Sequence, residues 1–495
     1  MHLESPPISN GTNTNGAKHP AVNTKVKTIS SVSYPSQSLQ FLREVRDPCV
    51  EVHDGFTPSN PPQAKLKLKI IIVGAGLGGL ATSIALARRG HQVTVLEQAH
   101  QLGEVGAGIQ IPSNSSLLLE RWGLSDFLSG KVVEPQGMTF RRWENGNAIG
   151  FTRLVPDFRE NFGASYYVVH RADFHVALHQ RALQLGVEVK VNCKVVDYDL
   201  KAPTVTLANA DSLSADLVIA ADGVKSAARK LVLGGIDQKP VHTGFAAYRA
   251  TVDVQKMKAD PDISWLLEKP SLNIWIGEDR HVMTYTIAAG SSFNMVLSHV
   301  DKTDPSTWKQ ESTLDDMKQE FSGWDPQLTK IIHLIDKCLK WPLMNCTPLK
   351  TWIAPHSKVL ILGDAAHAMV PYMSQGAAMA VEDGAALATV LNLIDNPTSI
   401  PFALGIFEKE RLKRSSQMQE ASMTNGILWH FPDGPLQEAR DEAMRPEVEG
   451  KHFLKSANQW SDPVTQWWAY GYDAEVAMQV AWDAAVTELI SKVGK

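Results

Sequence analysis

Cysteine is scarce. Cys49, Cys193, Cys338 and Cys346 are the only four in 495 residues, and none forms a C-x-x-C pair. That argues against a disulfide scaffold, and no histidine falls beside them at zinc-ligand spacing. The pattern fits a reducing compartment. A basic surplus is also missing: the formal net charge is −5, which leaves no electrostatic footprint for nucleic acid. So is a long unbroken apolar run. The most apolar stretch, Ile70 to Ala87, is interrupted by Gly74, Gly76, Gly78 and Gly79. Glycines so closely spaced suit a tight turn, not a spanning helix. Met1 to about Lys65 carries no apolar segment of the secretory kind, and a cytoplasmic location is expected. No internal repeat is found.

What is present is an ordinary globular composition, with 44% hydrophobic and 20% charged residues, enough for a sizeable core. The length suits about two to three domains. Thirteen tryptophans are generous, and Trp429, Trp460, Trp467, Trp468 and Trp482 fall late in the chain. Packing is the expected role for these rings, with substrate contact as the alternative.

Residues 1–66 are rich in Ser, Thr, Asn, Pro and Lys without periodicity, and are expected to be a disordered tail. Order is expected from there. Ile70-Ile71-Ile72-Val73 reads as a buried strand, Gly78 to Arg89 as a helix, and Gln92 to Glu97 as the next strand. This is a βαβ unit, the start of a parallel sheet. Strands are also expected at Val187–Val191, Thr204–Leu207, Leu217–Ala221 and Val359–Leu362. Helices are expected at Arg171–Leu185, Leu314–Phe321 and Gln375–Leu393. Between about residues 240 and 300, alternating segments (Phe245–Val252, Asn273–Ile276, His281–Ile287) read as antiparallel strands. The fold class is therefore α/β: a Rossmann-like parallel sheet with helices, interleaved with an antiparallel-sheet domain, then a helical C-terminal region.

Gly74-Ala75-Gly76-Leu77-Gly78-Gly79 matches G-x-G-x-x-G between a strand and a helix, the context that makes this motif informative. Gly74 permits the turn, Gly76 lets the backbone approach a pyrophosphate, and Gly79 allows close helix packing. The helix N-terminus offers free N–H groups to the phosphates. Glu97 ends the second strand twenty-three residues after Gly74, placed to bind ribose hydroxyls.

Two further strand–turn motifs follow: Leu217 to Ser226, containing Asp222-Gly223, with Arg229; and Val359 to His367, containing Gly363-Asp364, continued by Pro371 and Gln375 to Asp383. With the glycine turn and in this order, they resemble the three fingerprints of the FAD-dependent aromatic hydroxylases, the single-component flavoprotein monooxygenases, in their fungal salicylate-hydroxylase-like branch. Gly106 to Asn114, with Ala107 and Gly108, is similar to the family segment along the flavin. His170 to Asp173 is similar to the turn whose arginine, Arg171, reaches the cofactor. Phe245 to Arg249, Trp275 to Gly277, Arg280 to Val282 and Tyr285 are similar to the substrate-domain strands, and Asp433-Gly434-Pro435 with Arg440-Asp441 to the branch's C-terminal part. The likeness runs from about residue 67 to the end.

The resemblance implies FAD as cofactor and NADPH or NADH as co-substrate. It also implies hydroxylation of a small aromatic or phenolic molecule by O2 through a flavin hydroperoxide. It assigns Asp364 to the ribityl chain and the backbone at Gly376 and Ala377 to negative charge on the reduced ring. Asp222 is assigned to both cofactors, and Arg249 and Tyr285 to the substrate. His367 is expected to be structural rather than a base, and His281 is open between the two. The implied division is 67–240 with 350–395 for FAD binding, 241–349 for substrate binding, and 396–495 as the helical region. No second G-x-G-x-x-G gives the nicotinamide cofactor a Rossmann unit of its own, and no W-x-W-x-I-P marks a halogenase. An epoxidase, an oxidative dearomatase, a decarboxylating hydroxylase and a non-catalytic flavin-binding protein remain as alternatives.

Overall fold

The computed structural model describes residues 63–103, 107–236, 238–303 and 314–493. Cys49, Gly106 and the expected tail up to residue 62 lie outside the described residues. Chain pairing starts slightly ahead of the expected boundary, because Ala64 N donates to Arg89 O at 2.8 Å and the Ala64 side chain is buried.

A five-stranded parallel sheet runs in the order Val359–Ile361, Leu217–Ala220, Lys69–Val73, Gln92–Leu96, Glu188–Lys190. Its central strands are continuous apolar runs because helices cover both faces. Ile70, Ile71 and Ile72 are all buried. The strands carrying the three motifs are neighbours: Lys69–Val73 pairs with Leu217–Ala220, which pairs with Val359–Ile361. Their carboxyl ends therefore open onto one crevice, where ligands of doubly wound sheets bind.

A seven-stranded sheet stands beside it, in the order Cys338–Asn345, Val241–Asp253, Ser292–Val300, Arg280–Ile287, Leu272–Gly277, Gly137–Arg142, Ala148–Arg153. All its pairings are antiparallel except that between Leu272–Gly277 and Gly137–Arg142. Here the sequence division needs correction. Gly137–Arg142 and Ala148–Arg153 fall inside the interval assigned to FAD binding, yet they complete the second sheet. Phe140 is buried in the same apolar cluster as Ile274 and Met283, so its side chain is covered within the second sheet's core.

The long helix Ile400–Trp429 spans 30 residues and ties the two sheets together. Its first half buries Ile400, Leu404 and Phe407 in the parallel-sheet core. Its last turns bury Met418 and Trp429 in the core of the second sheet. Helices Pro435–Val448, Pro463–Tyr470 and Ala474–Val493 follow. Trp460 is fully buried and Trp482 packs edge-on against Phe402 at 5.4 Å, as the packing expectation has it, but Trp429 also lines a cavity. No helix of the described residues is long and apolar enough to cross a membrane.

Candidate active site

The glycine turn shows why its residue types are needed. Gly74 sits at φ +104°, and a Cβ there would lie 2.4 Å from Ala221 O. At Gly79 a Cβ would lie 2.0 Å from Gly74 O. Both positions are closed to any side chain, while Gly76 has nothing within 4 Å and faces open space. Gly76 also caps the helix Leu77–Arg88, which has no side-chain cap and no acid in its first turn. Its free N–H groups and partial positive charge are left for an anion.

Two adjoining cavities meet at this turn. One, of about 640 Å³, is lined by Gly76, Glu97, Ala107, Arg171, His175 and Asp364, among others. The second, the inner cavity, of about 370 Å³, is lined by Gly76, Gly108, Arg171, Asp364, Gly376 and Ala377, and by Arg249, His281, Met283, Tyr285, Tyr372 and Trp429. They share Gly76, Arg171, Arg249, Asp364, Met369 and Pro371. Glu97 and Asp364 thus border one elongated cleft, the arrangement an extended dinucleotide requires.

Glu97 is pinned at the far end: Oε2 accepts from Ala75 N at 2.9 Å and Oε1 from Ala99 N at 2.8 Å. Two amide bonds leave lone pairs on the carboxylate for hydroxyl groups. Asp364 is exposed to the cleft, and it opens a short helix after Gly363, whose φ is +61°. The turn is held from beneath. Asp383 Oδ2 accepts from Gly363 N at 3.0 Å and pairs with His367 Nε2 at 2.6 Å, while its Oδ1 accepts from Arg411 Nε at 2.8 Å. Burial pushes the Asp383 carboxyl up, but His367 and Arg411 outweigh it and hold it below its usual range. His367 is therefore part of the scaffold, as expected. Glu382 binds Arg411, Arg414 and Asn114, and Asn114 also donates to Gln375 at 2.9 Å. Gln375 stands at the N-cap position of the helix Gly376–Asn392 without a side-chain cap bond, so this buried ionic cluster positions a helix end whose N–H groups are left free toward the second cavity. The cluster's Asn114–Arg411–Arg414 side was not foreseen. Its only sequence signal was the Glu382-Asp383 pair in an otherwise apolar helix.

Asp222 Oδ2 accepts from Ala227 N at 2.9 Å and caps the following turn, while its buried Oδ1 has no hydrogen-bond partner among the described residues. Its neighbours Ala221 and Gly223 do line the inner cavity. Arg229 joins the second and third motifs by donating to Val224 O at 2.9 Å and Ala365 O at 3.0 Å.

Arg249 and Tyr285 both face the inner cavity, from strands Val241–Asp253 and Arg280–Ile287. The buried Nε of Arg249 has no hydrogen-bond partner among the described residues. Burial pulls its guanidinium below the usual range, Arg171 acts in the same direction, and Tyr285 opposes them. Burial raises the Tyr285 phenol, with Arg249 opposing. The Tyr285 ring packs against Gly108, where a Cβ would come within 2.4 Å of it. Gly108 N donates to Asn294 Oδ1 at 2.7 Å. The far wall is aromatic: His281 meets Tyr372 and Trp429 edge-on at 5.3 and 5.0 Å. Tyr372 was not anticipated as a cavity residue, and for Trp429 substrate contact was the alternative to the packing expected of it, because nothing in their local sequence separates wall from core.

An FAD binding domain signature matches residues 67–422. An FAD-dependent monooxygenase, OpS4, of Beauveria bassiana (strain ARSEF 2860) is 35% identical over 409 residues, covering 82% of this chain and 95% of its own. The chain belongs to the FAD-dependent monooxygenases. A 3-hydroxybenzoate 6-hydroxylase of Aquipseudomonas alcaligenes is 32% identical over 407 residues, covering 81% of this chain and 97% of its own. Among solved structures, a salicylate hydroxylase substrate complex superposes with a TM-score of 0.68 at 25% identity, over 84% of this chain and 98% of that one. The monooxygenase is thus of the aromatic-hydroxylase type, as the motifs implied, and the cofactor it binds is FAD. The uncapped helix end at Gly76 and the cleft from Glu97 to Asp364 fit that group.

Proposed function

We propose that this monooxygenase uses NADH or NADPH and O2 to hydroxylate a small phenolic compound in the inner cavity. The observation that carries the reading is the pairing of Arg249 and Tyr285 in one buried chamber with the N-terminus of the helix Gly376–Asn392. A fixed cation in a site of low dielectric favours an ionised oxygen on a bound ligand, and an ionised phenol is the electron-rich partner that hydroxylation needs.

In this reading Gly74, Gly76 and Gly79 shape the phosphate turn, Glu97 holds the adenosine ribose and Asp364 the ribityl chain. Ala107, Gly108 and Arg171 flank the flavin, and the N–H groups at Gly376 and Ala377 face its ring. The flavin, when bound, supplies the redox chemistry that moves one oxygen atom of O2 onto the substrate. The protein does the rest. Arg249 binds the phenol oxygen and Tyr285 donates a hydrogen bond to it, while Met283, Tyr372 and Trp429 exclude water, which would divert reduced flavin to hydrogen peroxide. Asp222 keeps a supporting role, holding the turn that carries Gly223. The parallel sheet and its helices form the cofactor unit, and the seven-stranded sheet with the end of Ile400–Trp429 forms the substrate unit. The relatives named as acting on 3-hydroxybenzoate and salicylate favour a hydroxylated benzoate as the first compound to try. The test follows NADH and NADPH consumption and hydroxylated product together across a panel of phenols. Product in proportion to consumption supports the reading; consumption that yields only hydrogen peroxide with every phenol would defeat it.

A further inference from the structure

Space continues past the aromatic wall of the inner cavity. Beyond Tyr372 lies an apolar groove of about 340 Å³, lined by Phe245, Val370, Met423, Ile427, Phe431 and Pro432 among others. Tyr372 lines the groove and the inner cavity alike. One sheet face floors both spaces. In Val241–Asp253, Arg249 faces the inner cavity and Phe245, four residues earlier, faces the groove. Their pairing with Val296 and Val300 is unbroken in register. Both side chains therefore leave the same face, roughly 13 Å apart along the strand. Tyr285 and His281 repeat that step along Arg280–Ile287, and His281 meets Tyr372 at 5.3 Å. A phenol whose oxygen is held at Arg249 and Tyr285 thus presents its opposite end to the Tyr372 wall.

That wall is held by packing more than by polar bonds. The Tyr372 backbone is pinned, since Asn425 Nδ2 donates to Tyr372 O at 2.6 Å. Its hydroxyl is buried without a hydrogen-bond partner among the described residues, as is that of Ser298 nearby. An unpaired buried hydroxyl is costly where it stands, so the ring can swing on a fixed backbone without breaking a hydrogen bond. On the groove side, Met423 and Ile427 are 37% and 61% exposed, and apolar surface of this kind gains from being covered. We propose that the groove is the second half of the substrate site: Tyr372 swings aside, and an apolar side chain borne by the phenol opposite its hydroxyl lies along Phe245, Met423 and Ile427. This rests on the phenolic reading above and narrows it to phenols that carry a linear alkyl or alkenyl chain para to the oxygen. The groove's occupant is that chain because its floor is continuous with the sheet face that holds the ring. A hydroxybenzoate fills the inner cavity alone, with Tyr372 closed.

The test titrates FAD-loaded enzyme with para-alkylphenols, from methyl to hexyl, and with 3-hydroxybenzoate, and reads Kd from the change in flavin absorbance without reductant. Kd is expected to fall about fourfold for each added methylene, the scale of burying one such group. Met423→Glu and Ile427→Glu put a charge in the groove at exposed positions of the helix Ile400–Trp429. In both variants the gain per methylene should vanish, while 3-hydroxybenzoate binds as in wild type. Tyr372→Ala removes the wall, and stopped-flow mixing should show hexylphenol associating faster than in wild type. A wild-type Kd that does not change with chain length overturns the inference. So does a gain per methylene that persists in both groove variants, since the chain would then lie elsewhere. Equal association of hexylphenol with and without the Tyr372 ring overturns the swing. Those three results leave the phenolic reading intact; failure of every phenol and of 3-hydroxybenzoate to perturb the flavin defeats both.

Discussion

Gly108→Ala is the sharpest test of the inner cavity, because it adds one carbon against one ring. The new Cβ would lie 2.4 Å from Tyr285 Cε2, 2.8 Å from Oη and 2.9 Å from Cζ. Ordinary contact begins at 3.4 Å, so ring and backbone must separate by about 1 Å. Neither yields readily. Tyr285 is 3% exposed, and its strand is paired on both sides, with Thr284 opposite Asn273 and Tyr285 opposite Asn294. Gly108 is tied to the same Asn294 through its amide. Overpacking of this kind costs about 1–3 kcal/mol. A displacement of about 1 Å in a positioned group costs roughly 10²-fold in rate. Thermal unfolding of the FAD-loaded protein should therefore show Gly108→Ala destabilised by about 2 kcal/mol with flavin retained, and product formation reduced by about 10²-fold. The decisive measurement is a double-mutant cycle. In a Tyr285→Ala background the ring is gone, so adding Gly108→Ala should cost less than about 0.5 kcal/mol, and the coupling energy should account for nearly the whole single-mutant effect. Equal destabilisation in both backgrounds would refute the argument, since the clash would then lie elsewhere.

Asp364→Ala should purify with little bound flavin but with the fold retained, read by flavin absorbance and far-ultraviolet circular dichroism; full flavin occupancy would remove Asp364 from the cofactor's contacts. Arg249→Ala should keep FAD yet lose coupling, so that NAD(P)H consumption persists while hydroxylated product falls; an unchanged product yield would count against its role. Arg411→Ala leaves Glu382 and Asp383 buried without their shared cation, at a cost of about 3–5 kcal/mol, and should loosen flavin binding through the Gly363 turn; denaturant unfolding and flavin release measure the two effects. Glu447 accepts from Phe151 N at 2.7 Å and Asn458 Nδ2 at 3.0 Å, and burial raises its carboxyl to about 7 despite those bonds. The folded state then holds a proton that the unfolded chain releases near 4.5. Stability should fall as pH rises from about 4.5 to about 7 by roughly 3 kcal/mol and level off above. Glu447→Gln should flatten that slope, and a slope unchanged in the variant would exclude Glu447 as its source.

Much of the cofactor cleft was legible in the sequence because it is built from backbone. A turn that must bring Gly79 within touching distance of Gly74 leaves glycine as the only possible residue, and the requirement is local enough to read from six positions. The strands of the parallel sheet were legible for a related reason. Buried on both faces, they are short unbroken apolar runs such as Leu217–Ala220, with expected and observed ends agreeing within about a residue. The second sheet was only half read. Ser292–Val300 and Cys338–Asn345 were missed, as was the pairing of Gly137–Arg142 with Leu272–Gly277. That last contact joins residues more than a hundred positions apart, and no local pattern encodes it. Asp222 marks another limit of local reading: an acid after a strand end looks the same whether it faces a ligand or caps the next turn.

The inner cavity was less legible than the cleft, and the difference has a physical origin. Its wall gathers one residue from each of several distant elements. Arg249 and Tyr285 come from the second sheet, Tyr372 from the loop before Gly376–Asn392, and Trp429 from the last turn of a 30-residue helix. A dinucleotide is the same molecule in every protein that binds it, so its cradle can be fixed by backbone geometry. A substrate pocket must instead be shaped by side chains, each carried on an element whose own sequence answers first to packing. The Gly426 position shows the two demands meeting. A Cβ there would come within 2.6 Å of the Tyr372 ring, so a glycine inside an otherwise regular helix is what lets that ring approach the helix and line the chamber. Helix propensity alone would disfavour Gly426 by about 1 kcal/mol relative to alanine. The residue is explained only by the ring it accommodates, and that ring in turn holds His281 and His430 edge-on.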